Sequence, residues 1–124
     1  MQKHSKQRDA LIELLKNTKE HPSADALYTQ LRKEFPNVSL ATVYRNLKLL
    51  LEMHEIIKID VGDEMDHYDA CTENHYHFFC ECCHSILDVA HPPFPEIDSK
   101  VSEQENLQIK GHSLVFFGLC PKCQ

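Results

Sequence analysis

Two short cysteine pairs constrain this chain more than any other feature. Cys80-Glu81-Cys82-Cys83 contains a C-x-x-C, and Cys120-Pro121-Lys122-Cys123 is a second, 36 residues further on. Two such knuckles bring four thiolates to the spacing of a closed tetrahedral zinc site. The gap is longer than that of a zinc ribbon, so a whole subdomain has to fold between Cys83 and Cys120. Zinc can supply on the order of 10 kcal/mol of folding free energy, which so small a subdomain needs. The competing reading is free or redox-active thiols. Cys82 breaks the x-x spacing and Cys71 has no partner knuckle, so both are read as small buried residues or bystander thiols.

The redox compartment decides between zinc and disulfides for a chain with six cysteines. Met1-Gln2-Lys3-His4-Ser5-Lys6 carries no apolar segment after its positive charges. No secretory signal is therefore expected, and the expected location is the cytoplasm, where thiols stay reduced. The longest apolar stretch is about five residues, Val115 to Leu119, too short to span a bilayer.

The formal charge of -6 is unevenly distributed. Through Asp60 the chain carries ten Lys and Arg against eight acids; from Val61 onward it carries three Lys against eleven acids. All six cysteines and six of the nine histidines also follow Val61. At 124 residues this is one ordinary domain or two small ones with different tasks.

The first half reads as three amphipathic helices and a hairpin. Ser5 is a candidate N-cap for a helix burying Leu11, Leu14 and Leu15 and ending before His21-Pro22. Ser23 opens a second helix with Ala24, Leu27, Tyr28, Leu31 and Phe35 on one face, stopped by Pro36-Asn37. Ser39 opens a third, with Leu40, Val43, Tyr44, Leu47, Leu50 and Leu51 on its buried side and Ala41, Thr42, Arg45 and Leu49 opposite. Glu55 to Ile59 then reads as a strand, Gly62-Asp63 as a turn and His67-Tyr68-Asp69 as the return. This is the pattern of a winged helix. Its third helix suits a DNA major groove, with Ala41 and Thr42 against thymine methyls and Arg45 on guanine or phosphate. The plainer alternative is a helical bundle with a solvated Arg45. A charge of +2 on this half is modest for DNA binding, and a dimer presenting two such surfaces would help.

A second metal chemistry is written in His75-Tyr76-His77. On a strand both imidazoles point to one face. Asp69 lies just upstream, and Asp88 sits downstream in a candidate strand, Ser85 to Val89. Imidazoles with carboxylates suit manganese or iron better than structural zinc; the alternative is two exposed histidines. His54, His84, His91 and His112 have no partner at a diagnostic spacing. His4 and His21 lie near opposite ends of the first helix, more than about 20 Å apart, too far to share a metal.

Four strings occur in order: His21-Pro-Ser-Ala-Asp-Ala-Leu-Tyr28, Pro36-Asn-Val-Ser-Leu-Ala-Thr-Val-Tyr-Arg-Asn-Leu47, His75-Tyr-His-Phe-Phe-Cys80 and Gly118-Leu-Cys-Pro-Lys-Cys123. Together they resemble the ferric uptake regulator (Fur) family over nearly the whole chain. The resemblance implies an α+β protein: a winged-helix DNA-binding domain over residues 1–63, a hinge over 64–70, and a small α/β dimerisation and zinc domain over 71–124. It implies structural Zn2+ on Cys80, Cys83, Cys120 and Cys123. It implies a homodimeric repressor, not an enzyme, that binds an inverted-repeat operator through Ser39, Ala41, Thr42, Tyr44 and Arg45.

The regulatory site resembles that of the peroxide-sensing branch (PerR). The resemblance places Fe2+ or Mn2+ on His21, Asp69, His75, His77 and Asp88, and makes His21 and His75 the imidazoles oxidised to 2-oxo-histidine. Iron sensors of the family more often carry Glu at both acidic positions. Zinc sensors tend to use a thiolate, so Cys71 keeps that alternative open. The chain departs from the pattern at Cys71, Cys82 and His84, the last standing where a glycine usually follows the knuckle. The extra N-terminal helix common in relatives and any further C-terminal ligand are expected to be missing. A two-His-one-carboxylate hydrolase or oxygenase is the rival from another class, disfavoured by the lack of H-E-x-x-H and of a glycine-rich loop. A purely structural zinc module is a third reading.

Overall fold

The structure is a computed structural model and describes residues 5–124. His4, expected near the start of the first helix, lies outside the described residues. Two compact units divide the chain, residues 1–72 and 73–124.

The first unit is three helices and a hairpin: α1 (Lys6–Lys16), α2 (Ala24–Leu31), α3 (Leu40–Glu52), β1 (Ile57–Asp60) and β2 (Asp66–Asp69). Each helix starts at the serine that the sequence nominates. The Ser5 hydroxyl accepts from the Arg8 N–H at 3.3 Å, Ser23 from Ala26 at 3.2 Å and Ser39 from Thr42 at 3.1 Å. Each cap satisfies an orphan donor and contributes about 1 kcal/mol. The apolar stripes meet in one core of Leu11, Leu15, Leu27, Leu31, Val43, Leu47, Leu50 and Ile56, closed by Tyr68 of the hairpin. Strands β1 and β2 are antiparallel, with Ile57 opposite Asp69 and Asp60 opposite Asp66. Their connection turns at Gly62, whose φ of +85° suits glycine, and the Asp60 carboxylate accepts the Gly62 N–H at 2.9 Å.

The second unit is a three-stranded sheet and one helix: β3 (Tyr76–Cys80), β4 (Ile86–Val89), α4 (Pro95–Glu105) and β5 (Val115–Gly118). The strand order is β4-β3-β5, with β3 antiparallel to β4 and parallel to β5. The parallel pair requires a crossover, which α4 supplies. Cross-strand partners share a face. Phe78, Leu87 and Phe116 therefore lie on one face, and His77, Asp88, Phe79, Ile86 and Phe117 on the other.

Several expectations are revised. Helix α2 ends at Leu31, and Phe35 packs on the core from the turn that follows. The first strand of the hairpin starts at Ile57 rather than Glu55. Tyr44, expected on the buried side of α3, is 50% exposed, and the polar Asn46 is buried instead. Residues 64–70, expected as a hinge, contain β2, which pairs with β1, and the two units divide after Thr72. Helix α4 buries no residue, so its weak apolar periodicity had left no signal to read.

Leu47 is 1% exposed at the centre of the helical core. Leu47→Ala is expected to destabilise the first unit by about 2–5 kcal/mol, read from its denaturant midpoint.

Candidate metal centres

The knuckles sit where strand ends force them together. Cys80 is the last residue of β3, and Cys120 follows β5 by two residues, so the parallel β3–β5 pairing, with Cys80 opposite Gly118, delivers both to one end of the sheet. All four Sγ atoms of Cys80, Cys83, Cys120 and Cys123 lie within 4.8 Å of one another. Cys83 Sγ and Cys120 Sγ are 3.8 Å apart. Two thiolates about 2.3 Å from a tetrahedral Zn2+ are separated by about 3.8 Å, so the donor set fits that ion.

Backbone amides prepare the thiolates. The N–H groups of Cys83 and Cys120 both donate to Cys80 Sγ, at 3.5 and 3.4 Å. These bonds bring the Cys80 thiol down to about 6. The Ser85 hydroxyl, 3.1 Å from Cys83 Sγ, lowers the Cys83 thiol in turn. The Cys123 thiol is pushed up, first by the Cys120 thiol and then by Cys82 beside it. A donor set in which some thiols ionise readily and one resists binds metal with release of protons. Cys71 and Cys82 are both exposed, which excludes buried residues and leaves the reading of bystander thiols.

The imidazole and carboxylate donors fall into two groups. In the first unit, His21 Nδ1 lies 3.4 Å from Asp69 Oδ2. The connection from α1 to α2 carries His21 to the hairpin, where the Tyr68 N–H donates to the Pro22 carbonyl at 3.1 Å and Ser23 bridges His67. Asp69 Oδ1 also accepts the Cys71 N–H at 2.9 Å. In the second unit, His77 of β3 stands opposite Asp88 of β4 in the antiparallel register. The Asp88 carboxylate lies 3.5 Å from His77 Nε2 and 3.1 Å from His75 Nε2. The two imidazoles have centroids 4.3 Å apart, and the Glu73 carbonyl accepts from His75 Nδ1 at 2.8 Å, leaving Nε2 towards Asp88. Donors about 2.1 Å from one ion at near-octahedral angles are about 3.0–3.4 Å apart. Each group therefore has the bite of a borderline-to-hard divalent cation such as Fe2+ or Mn2+.

Two residues around His21 have no signature in the sequence. His67 Nδ1 donates to the His21 carbonyl at 2.8 Å, and its Nε2 lies 2.7 Å from Asp63 Oδ2. Burial works against the charge of Asp63, but the His67 hydrogen bond and the Met65 amide outweigh it and hold the carboxyl below its ordinary value of 3.8. His112 also has partners at long range: its Nδ1 donates to Asp98 Oδ1 at 2.8 Å, and its Nε2 meets the Tyr76 hydroxyl, which accepts the Phe94 N–H at 2.8 Å.

On α3, Ala41, Tyr44 and Arg45 are exposed and Thr42 half-buried. Arg45 Nη2 donates to Thr42 Oγ1 at 3.1 Å, and that hydroxyl lies 2.9 Å from Ser39 Oγ. The five residues expected at a nucleic-acid surface thus form one patch on the first two turns of a helix with its N-terminus capped.

Comparison with known proteins agrees with this geometry. The sequence profile of the Ferric uptake regulator family matches residues 2–117. The peroxide-responsive repressor PerR of Staphylococcus aureus is 34% identical over 118 residues, 95% of this chain and 80% of that protein. The crystal structure of the Campylobacter jejuni peroxide stress regulator superposes with a TM-score of 0.75 at 32% identity, covering 94% of this chain and 88% of that one. The Helicobacter pylori ferric uptake regulator Fur, a structure with three functional metal-binding sites, gives a TM-score of 0.84 at 26% identity, covering 98% and 82%. The chain belongs to the ferric uptake regulator family.

Two measurements test these centres. Chelation of zinc is expected to unfold residues 73–124, lost as far-UV ellipticity, and to extend thiol reactivity from Cys71 and Cys82 alone to all six cysteines. Because the folded pKa of Asp63 is depressed, its contribution is present above pH 3.8 and is lost as pH falls through the lower folded value. Asp63→Asn is therefore expected to make acid unfolding of the first unit shallower, followed by ellipticity against pH.

Proposed function

We propose that this protein is a metal-dependent transcriptional repressor that binds an operator as a homodimer and senses peroxide through Fe2+ or Mn2+. The observation that carries the reading is the pairing of His21 with Asp69 in one unit and of His75 and His77 with Asp88 in the other, each pair at metal-bite distance. Three imidazoles and two aspartates, with no thiolate among them, favour Fe2+ or Mn2+ over zinc at the regulatory site. Cys80, Cys83, Cys120 and Cys123 hold structural zinc in the same reading. In the same reading residues 1–63 bind DNA and residues 71–124 dimerise.

The chain's own residues account for each step. Ser39, Ala41, Thr42, Tyr44 and Arg45 meet the groove, where the Thr42 and Ala41 methyls suit thymine and the Arg45 guanidinium suits guanine or phosphate. Phe116 and Leu87, exposed on one face of the sheet, offer apolar surface for a second copy, and Phe117 is 74% exposed on the other face. Ligands drawn from both units make operator affinity depend on loading. A change from mostly released to mostly bound needs a preference of about 10⁴-fold for the binding arrangement. Bound at these residues, Fe2+ would supply one-electron chemistry toward peroxide that Mn2+ would not. The His21 and His75 imidazoles are then the side chains exposed to oxidation, and loss of either weakens the donor set. The setting is the cytoplasm, and among the described residues no helix is long and apolar enough to cross a membrane.

The reading is tested by operator binding with Mn2+ or Fe2+, before and after peroxide. His21→Ala is expected to abolish metal-dependent binding while zinc content and fold persist. Mass spectrometry of the iron-loaded protein after peroxide is expected to find one added oxygen on a peptide bearing His21 or His75. An unmodified, still-binding iron form would reassign the protein to an iron or zinc sensor of the same family.

A further inference from the structure

His21 adopts an unusual conformation. Its φ of +53° lies in the left-handed region that non-glycine residues seldom enter, and the residue is 2% exposed. Such a conformation persists only where the surroundings over-determine it. Three contacts on the hairpin do so: the Tyr68 N–H on the Pro22 carbonyl, the Ser23–His67 bridge, and His67 Nδ1 on the carbonyl of His21 itself.

The third is the unusual one, because a side chain makes it. The His21 carbonyl can only accept, so His67 Nδ1 carries the hydrogen. His67 Nε2 faces Asp63 Oδ2 at 2.7 Å across the turn of the hairpin, so the ring is held at both edges and has no freedom to rotate. His67 is 7% exposed. Asp63 is itself anchored, its Oδ1 accepting the Met65 N–H at 3.2 Å. A continuous chain of hydrogen bonds therefore runs from the turn of the wing through Asp63 and His67 to the backbone of His21, whose Nδ1 points at Asp69.

We propose that His67, oriented by Asp63, is a positioning residue for the regulatory metal site: it holds the His21 backbone so that the imidazole is delivered to Asp69 before any ion arrives. This rests on the metal-sensing reading above. Without the clamp, the 21–23 segment samples other conformations and binding has to restore the left-handed one, so affinity falls although no ligand is lost. The same linkage makes the wing, an element that reaches DNA in winged helices, part of the metal site's support.

The experiment compares wild type, His67→Leu, His67→Arg, Asp63→Asn and His21→Ala as zinc-loaded full-length protein. Two quantities are read: Mn2+ affinity, and in the Mn2+-free protein the exchange rate of the Tyr68 amide, which reports docking of the 21–23 segment. His67→Leu and Asp63→Asn are expected to weaken Mn2+ by about 10- to 100-fold and to speed Tyr68 exchange by roughly 5- to 10-fold, with core amides of α3 unchanged. His67→Arg, which again offers donors to the His21 carbonyl and to Asp63, is expected to recover most of the affinity. A purely structural role for His67 predicts lower stability with Mn2+ affinity intact in the folded fraction, and that result overturns the proposal. Affinity within twofold of wild type in both His67→Leu and Asp63→Asn overturns it as well, while loss of Mn2+ binding in His21→Ala leaves the sensing site standing. Unchanged Mn2+ binding in His21→Ala removes the sensing site and the clamp together.

Discussion

The second unit depends on four sulfur atoms. The packed core of this protein lies in the first unit, between Leu11 and Tyr68. In residues 73–124 the buried apolar side chains are Tyr76, Ile86 and the two cysteines Cys80 and Cys120, and α4 buries none. Three strands of four or five residues cannot offset the conformational entropy of ordering such a segment. A tetrahedral thiolate site at the end of the sheet can, because it ties β3 to β5 across a long loop. The register that brings Cys80 beside Gly118 also sets His77 opposite Asp88, since β3 is the central strand of both pairings. The thiol cluster and the imidazole–carboxylate pair in this unit thus share one strand.

The two donor classes do not compete, for a physical reason. Thiolates crowded at 3.8 Å and fed by backbone amides suit a soft-to-borderline ion that stays in place. Imidazoles paired with carboxylates suit ions that exchange and, for iron, change oxidation state. In the proposed reading, one site holds the fold together so that the other can be emptied and refilled without unfolding it. The first unit contributes in a comparable way. Its helical core needs no metal, and the loop that carries His21 is held by the hairpin rather than by the core.

Much of this was legible in the primary structure. Ser5, Ser23 and Ser39 announce three helices, because capping is a short-range interaction between a hydroxyl and an amide three residues on. Both knuckles are equally local. His75 and His77 stand two residues apart, immediately before β3 and on it, so both reach the carboxylate of Asp88. Helix α4 was illegible since it has no buried face, and the exposure of Tyr44 was misread from a periodicity that places it at the edge of the apolar stripe.

Local spacing, then, determined the caps, the thiol pairs and the adjacent imidazoles of His75 and His77, as each depends on geometry within about one turn or one strand. The tertiary structure alone decided the partnerships: Asp88 rather than another acid for His77, Asp69 beside His21, and His67 gripping a carbonyl 46 positions earlier in the chain. These depend on strand register and on the path of the loop between α1 and α2. Such choices are settled by packing between segments distant in sequence, and a hydrogen bond across that distance leaves no periodic trace in the order of the residues.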